Sequence, residues 1–511
     1  MDKRRHTMVA FTVAAMATLV IATKAVNAAD LYWDGPTPTA DGASQGGTAT
    51  WDNLTTANWD NGASVQWNNA ANDTALFGGT AGTVTLGNDI TLAGMEFSTG
   101  GYIINGGGNT ITLGNNGGIR STNTPGPSLW TATGTTTINA DIDTNGFRFT
   151  TVGGGAANLT GAISGSGGFA TYNNSNVTLS GANTYTGKTS VTSDTTGGST
   201  LRVSSFNSVN GGAPLLASSS LGAPTTVANG TIDLSNSGKR ASCTLIYEGA
   251  AATGETTDRV IDINFNDSSS QTLNASGSGL LKFTSAMTSN AAGQTGAFII
   301  RGTGSGEIVQ DLPALATGGL RKLDAGTWTI AGGSVNQTRV EGGTLIVNGS
   351  LTTTTTVTVN SGATLAGTGA IGGATTVSGT VSPGASPGTL TFSDDLTLNN
   401  GSTYEFEAGD QTVVDGALTL NDNWTLALGS GLQDGGSVTI FTFGSLTGGA
   451  DLAPTIDTSN LGFTPGGPLS LTSTSSAIVL NGVSVVPEPT AFVLAILGFL
   501  GLIGLGRRRK R

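Results

Sequence analysis

The side chains with acid–base potential in this sequence are carboxylates. Asp262, Asp267, Asp394, Asp395, Glu405 and Glu407 occur in close pairs, the arrangement glycosidic cleavage needs for an acid and a base or nucleophile. Glu405 and Glu407 are two apart, so on a strand both point to one side. Other catalytic parts are scarce. His6 is the single histidine, which removes a Ser-His-Asp arrangement and a His-based metal site from the rest of the chain. Cys243 is the single cysteine; it cannot form an internal disulfide and reads as a small buried residue. Asp262-Ile263-Asn264-Phe265-Asn266-Asp267 sets oxygen ligands at alternating positions, but it lacks the glycine and terminal glutamate of a calcium loop. A solvated strand face is the simpler reading. Gly153-Gly154-Gly155 is a turn, since no Lys-Ser/Thr follows it as a phosphate loop requires. We therefore expect no catalytic residues, no metal and no cofactor.

The elements that carry these residues follow from composition. Gly numbers 80 of 511 residues, and only 11% of the chain is charged. Such a chain is poor material for helices and good material for short strands joined by Gly and Asn turns. Apolar residues alternate with Thr in Thr83-Val84-Thr85-Leu86, Thr110-Ile111-Thr112-Leu113 and Val357-Thr358-Val359. That period of two buries one set of side chains and argues against a disordered Gly/Ser chain. Of the 21 Lys and Arg, four lie in residues 1–28 and five in 487–511; of the 33 Asp and Glu, each stretch holds one. The region between is left with a net charge of −19. Nucleic acid is not expected as a partner, because phosphate contacts need clustered cations.

Both ends read as export signals. Lys3, Arg4 and Arg5 precede an apolar run from Met8 to Ala22, and Val26-Asn27-Ala28 follows with small residues. This is the pattern of a signal peptide cleaved by signal peptidase after Ala28. At the other end, Val486-Pro487-Glu488-Pro489 precedes an uncharged apolar run over 491–506, then Arg507, Arg508, Arg509, Lys510 and Arg511. At about 1.5 Å per residue that run is close to a bilayer core in length. The cations are expected to stay cytoplasmic, leaving the bulk of the chain outside. These residues resemble a PEP-CTERM sorting signal, with Pro487, Glu488 and Pro489 as its motif. The resemblance implies processing by an exosortase, a membrane anchor before processing, and a Gram-negative host that makes extracellular polysaccharide.

Internal repetition marks the middle. Leu179-Ser180-Gly181-Ala182-Asn183-Thr184-Tyr185-Thr186-Gly187 is followed by Thr189, Val191 and Thr200-Leu201-Arg202-Val203. A partial echo runs from Trp328-Thr329-Ile330-Ala331-Gly332 to Gly343-Thr344-Leu345-Ile346-Val347. The first unit resembles the autotransporter-associated β-strand repeat; in the second, Gly332-Gly333-Ser334-Val335-Asn336 replaces the Asn-Thr-Tyr-Thr-Gly core. The resemblance implies an all-β fold, a right-handed parallel β-helix with a β-rich C-terminal region. We divide the chain into a signal peptide (1–28), a Trp-rich β region or cap (29–100), a β-helix (101–350), a C-terminal β region (351–485) and the sorting signal (486–511). Region 351–485 reads equally as further rungs or as a small sandwich. Trp33, Trp51, Trp59 and Trp67 either close the end of the hydrophobic column or stack on sugars.

The expectation is an exported, non-catalytic surface or extracellular-matrix protein, structural or adhesive. Two alternatives stand beside it: a polysaccharide-binding protein, and a β-helix polysaccharide lyase or glycosidase.

Overall fold

The structure, a computed structural model, describes residues 28–485 apart from 115–127, 194–196, 236–240, 266–267, 291, 385–386 and 449. The chain winds into rungs of short strands. Hydrogen-bonded partners on neighbouring rungs are 20 residues apart, as for Thr144 with Ser164 and Ile163 with Asn183. One rung consists of Phe149–Val152, Ala156–Leu159 and Ile163–Ser164. Each of the three strands pairs in parallel with its counterpart in the rung before, at Trp130↔Val152, Ile138↔Leu159 and Ile142↔Ile163. Three faces result, each a parallel ladder, and the fold is an all-β solenoid of the β-helix kind.

The sequence dictates this locally. Thr83–Leu86, Thr110–Leu113 and Thr135–Ile138 each bury their apolar second and fourth side chains, or Thr136 in the last case. Identical registers then stack like on like. Ile90, Ile111, Ile142 and Ile163 form one inward column on the third face, all at most 1% exposed. Such a core is buried only between neighbouring rungs, so each rung depends on the next.

Two departures shape the middle. Between Ile163–Ser164 and Glu255–Thr257 the third face is interrupted, and residues 204–231 leave the stack as an excursion. It carries the only helix among the described residues, the single turn Val227–Gly230. Further on, Gly333–Val335 starts a ladder beside the middle one, taking over the first face. The two fuse in Gln411–Leu420, whose halves pair with Thr389–Phe392 and Leu396–Leu398. Residues 351–485 thus continue the same ladders as far as Thr455–Asp457. One glycine makes room for a large core residue there: a Cβ on Gly306 would lie 2.6 Å from the indole of Trp328, its partner on the next rung.

Both ends turn antiparallel. At the start, Trp59–Asp60 pairs antiparallel with Asp30–Trp33 and with Ser64–Val65. At the finish, Leu432–Leu446 pairs antiparallel with Ala477–Val485, which also pairs with Ser470–Ser473. Reversed strands stop the parallel stack and cover its open edge. No helix of the described residues is long and apolar enough to cross a membrane. The apolar run 491–506 lies outside them.

Candidate functional site

The carboxylates singled out by spacing fall in separate places. Asp262 faces outward and accepts hydrogen bonds from Asn264 Nδ2 at 2.7 Å and from the Thr288 hydroxyl. Asp267 lies outside the described residues. Asp394 and Asp395 form a turn in which Asp395 Oδ1 accepts the Ala417 N–H at 2.7 Å. Glu405 and Glu407 do share a side, since Tyr404 and Phe406 between and beside them point into the core. They line a shallow cavity of about 270 Å³ with Ser430 and Asn460. Asp410 lies behind them, 6% exposed, accepting the N–H groups of Gly388 and Glu407 at 3.2 Å each. Burial pushes its carboxyl up to about 6, against those two hydrogen bonds. The group pins the Pro387-Gly388 turn rather than facing the cavity. Among the described residues no group of three or more His, Cys, Asp and Glu comes together that could hold a metal ion. Cys243 is buried, and burial pushes its thiol up to about 12.

The four N-terminal tryptophans turn inward. Trp33, Trp51, Trp59 and Trp67 are 0–1% exposed. Their rings meet edge to face or tilted at 4.9–5.0 Å, around Phe77. Such contacts prefer this geometry because ring edges are positive and faces negative. The sugar-stacking reading of these indoles is overturned, as no ring face is left for a ligand. Trp328 and Trp424 are equally buried. Of the seven tryptophans, Trp130 alone is partly exposed. It stands on Ser128–Thr131 between inward Leu129 and Thr131.

Buried charges form a further set, which composition does not flag. Arg259 is 1% exposed. Its Nε donates to Gly230 O at 2.6 Å, and its Nη1 to Phe206 O and Leu221 O at 3.0 and 2.9 Å. Loss of water lowers its pKa to about 10, with Tyr185, Glu255 and Asp258 opposing the shift. Beside it, Glu255 accepts the N–H groups of Phe206 and Asn207, and Asp258 those of Val209 and Asn210. Together these groups tie the 204–231 excursion to the solenoid. Lys322 is fully buried, and its Nζ donates to the carbonyls of Leu323, Asp324 and Gly342.

The outward faces carry hydroxyls in register. Thr327, Thr344, Thr364, Thr380, Thr403, Thr425 and Thr455 follow one another rung by rung on the third face. On the middle face Thr358, Thr376, Thr397 and Thr419 do the same. Rung-to-rung spacing is about 4.8 Å. Bidentate ion pairs cross between rungs nearby, Arg301 with Asp324 and Arg321 with Glu341. The proposed sorting residues Pro487, Glu488, Pro489 and Arg507–Arg511 lie outside the described residues, and Ala28 is the first residue within them.

Comparison with known proteins adds one likeness. The chain is similar to the adhesin BmaC autotransporter of Brucella suis biovar 1 (strain 1330), 42% identical over 137 residues, which is 27% of this chain and 3% of that protein. It therefore spans only a small fraction of that relative's length. No family model and no solved structure matches the chain.

Proposed function

We propose that this chain is an exported, non-catalytic protein of the cell surface or extracellular matrix, whose solenoid serves as a stiff structural or adhesive element. The observation that carries this reading is the stack of parallel rungs from Thr74–Phe77 to Thr455–Asp457, closed at both ends, with hydroxyl ladders outside and a continuous apolar core inside. Such a body is long and displays repeated polar surface. The likeness to a stretch of an autotransporter adhesin supports an adhesive role. A right-handed coil is the hand that strand twist favours for parallel crossovers.

Two finer points belong to the same proposal. Cleavage after Ala28 fits the way the fold begins: the Ala29 N–H donates to Asp73 Oδ1 at 2.7 Å. Asp73 is 6% exposed, and burial raises its pKa. A new α-ammonium at Ala29 would meet that carboxylate. At the other end, processing by an exosortase near Pro487 is supported by the order of motif, apolar run and basic tail.

The test is mild proteolysis of intact cells, followed by intact mass of the surface form and a cell-attachment assay of a deletion strain. Digestion of the chain on whole cells, a mass beginning at Ala29 and lacking Arg507–Arg511, and weakened attachment are expected. A chain that resists digestion until cells are broken sinks the surface reading. A mass that retains the five terminal cations sinks the sorting step.

A further inference from the structure

The first face of the solenoid carries an outward column that the hydroxyl ladders do not explain. Register places Tyr32, Leu76, Glu96 and Trp130 in line on four successive rungs. Leu76 is 5% exposed and forms an apolar floor between Tyr32 and Glu96. Above it lies a cavity of about 260 Å³, lined by Tyr32, Ser44, Leu76, Gly78, Glu96 and Ser98 among others. Trp130 stands on the next rung beyond.

The polar groups of this column are unspent among the described residues. Among the described residues, Glu96 has no hydrogen-bond or ion-pair partner, and burial raises its pKa. The Tyr32 hydroxyl and the Trp130 indole N–H likewise have no protein partner there. Other polar groups of the same region are committed: Ser44 Oγ donates to Trp33 O and accepts the Gly78 N–H, and Ser98 Oγ donates to Phe77 O.

From this geometry we infer that the column Tyr32–Glu96–Trp130 is a binding site for a neutral, extended polysaccharide, a contact that rests on the surface role proposed above. Aromatic faces offer a sugar ring an apolar platform with a polar rim. A carboxylate only accepts, so it suits the O–H groups of a hexose. Among the described residues no Lys or Arg lines the cavity, and the region between the two end signals carries a net charge of −19, so an anionic glycan is disfavoured. The spread matters too. Tyr32 and Trp130 are three rungs apart, roughly 14 Å at strand spacing. That is too far for both rings to cage one compact cation, which must lie within about 6 Å of each. A linear chain along the solenoid axis reaches all three.

The test uses a convenient property of the molecule. Six of its seven tryptophans are fully buried, so accessible indole emission reports Trp130. The full-length chain is titrated with cellohexaose, xylohexaose and mannohexaose, with a galacturonate oligomer as the anionic control. Expected are a blue shift of emission and protection from acrylamide with at least one neutral hexaose. Trp130→Ala and Glu96→Gln are each expected to weaken that binding about tenfold by calorimetry, with unchanged thermal unfolding. Trp130→Phe, which retains a ring, should keep most of the affinity while losing the optical signal. Silence with every neutral hexaose, equal binding of the galacturonate oligomer, or affinities indifferent to both substitutions would overturn the site. A chain found on the cell surface that binds no hexaose sinks this inference alone; one absent from the surface sinks the surface role whatever the titration gives.

Discussion

The N-terminal cap and the 204–231 excursion solve one problem with the same two means in different proportion: both use carboxylates on backbone N–H groups, and both use aromatic packing. Each is a stretch of irregular chain that must be fixed against regular rungs. In the cap, four indoles and Phe77 fill a common core with ring contacts of 4.9–5.9 Å. In the excursion, residues 204–231 contain no charged side chain, and the chain is held by Glu255, Asp258 and Arg259 reaching up from the solenoid. Ring packing draws mainly on buried apolar area, with a preference for edge-to-face contact. Backbone pinning is directional, and its failure leaves buried polar groups bare. The excursion accordingly keeps a fixed path while leaving Leu215 and Leu216 62% and 52% exposed. Phe206 and Leu221 are buried in the common core, so the comparison teaches that a few apolar anchors suffice for local order when buried charges fix the backbone between them.

The largest effect should come from the cap. Trp51→Ala is expected to cost about 3–5 kcal/mol, measured by chemical denaturation. Because rungs support only their neighbours, hydrogen exchange should rise first in the strands before Asn105 and last in those after Thr327. Uniform loss of protection along the whole chain would deny that the cap is a separate unit. Next comes Arg259→Met, which strips three backbone carbonyls of their donor. A cost of about 2–4 kcal/mol follows, read as proteolysis within 204–231 with the cap unaffected. If the excursion stays resistant, its hold is not polar.

Polar pins also carry a pH signature that ring packing lacks. Asp410 is pushed from 3.8 to about 6 in the folded chain. Its folded pKa lies above its unfolded value, so the folded state binds the proton more tightly. The stability it contributes is fully present below pH 3.8 and is lost as pH rises to about 6. Relative to Asp410→Asn, the parent chain should therefore lose roughly 1–3 kcal/mol between pH 4 and pH 7. Parallel pH curves for the two would remove Asp410 as a titrating pin. The smallest effect belongs to the outward ladder: Thr364→Val should change stability by no more than about 0.5 kcal/mol, since the residue is half-buried on the solvent side and stacks only on other threonines. A larger loss would mean that the hydroxyl ladder helps hold the rungs together.

Much of this architecture was legible. Alternation in Thr83–Leu86 and Thr110–Leu113 identifies strands because a half-buried strand has period two. The unit from Leu179 to Val203 announces stacking because like residues must meet at each rung. What escaped has a physical reason in each case. Arg259 reaches Phe206, 53 residues away, and the composition of 204–231 matches that of any turn here. The fork at Gly333 follows from the departure in the second repeat unit, but nothing local says that a new ladder starts there. Residue type alone left the four clustered tryptophans open between closing the hydrophobic column and stacking on sugars, and their burial decides for the column. Facing, not type, decides access: Trp130 has inward Leu129 and Thr131 on either side, and only register with Glu96 reveals its neighbours.

The direction of the ladder hydrogen bonds has a mechanical consequence. They lie along the solenoid axis, so tension between the two ends loads the rungs one after another instead of shearing them together. A pulled molecule would shed its coils singly from whichever cap yields. Each release of about 20 residues would pay out roughly 70 Å of chain. The protein would then act as a shock absorber, lengthening in steps under load and rewinding when the load is removed.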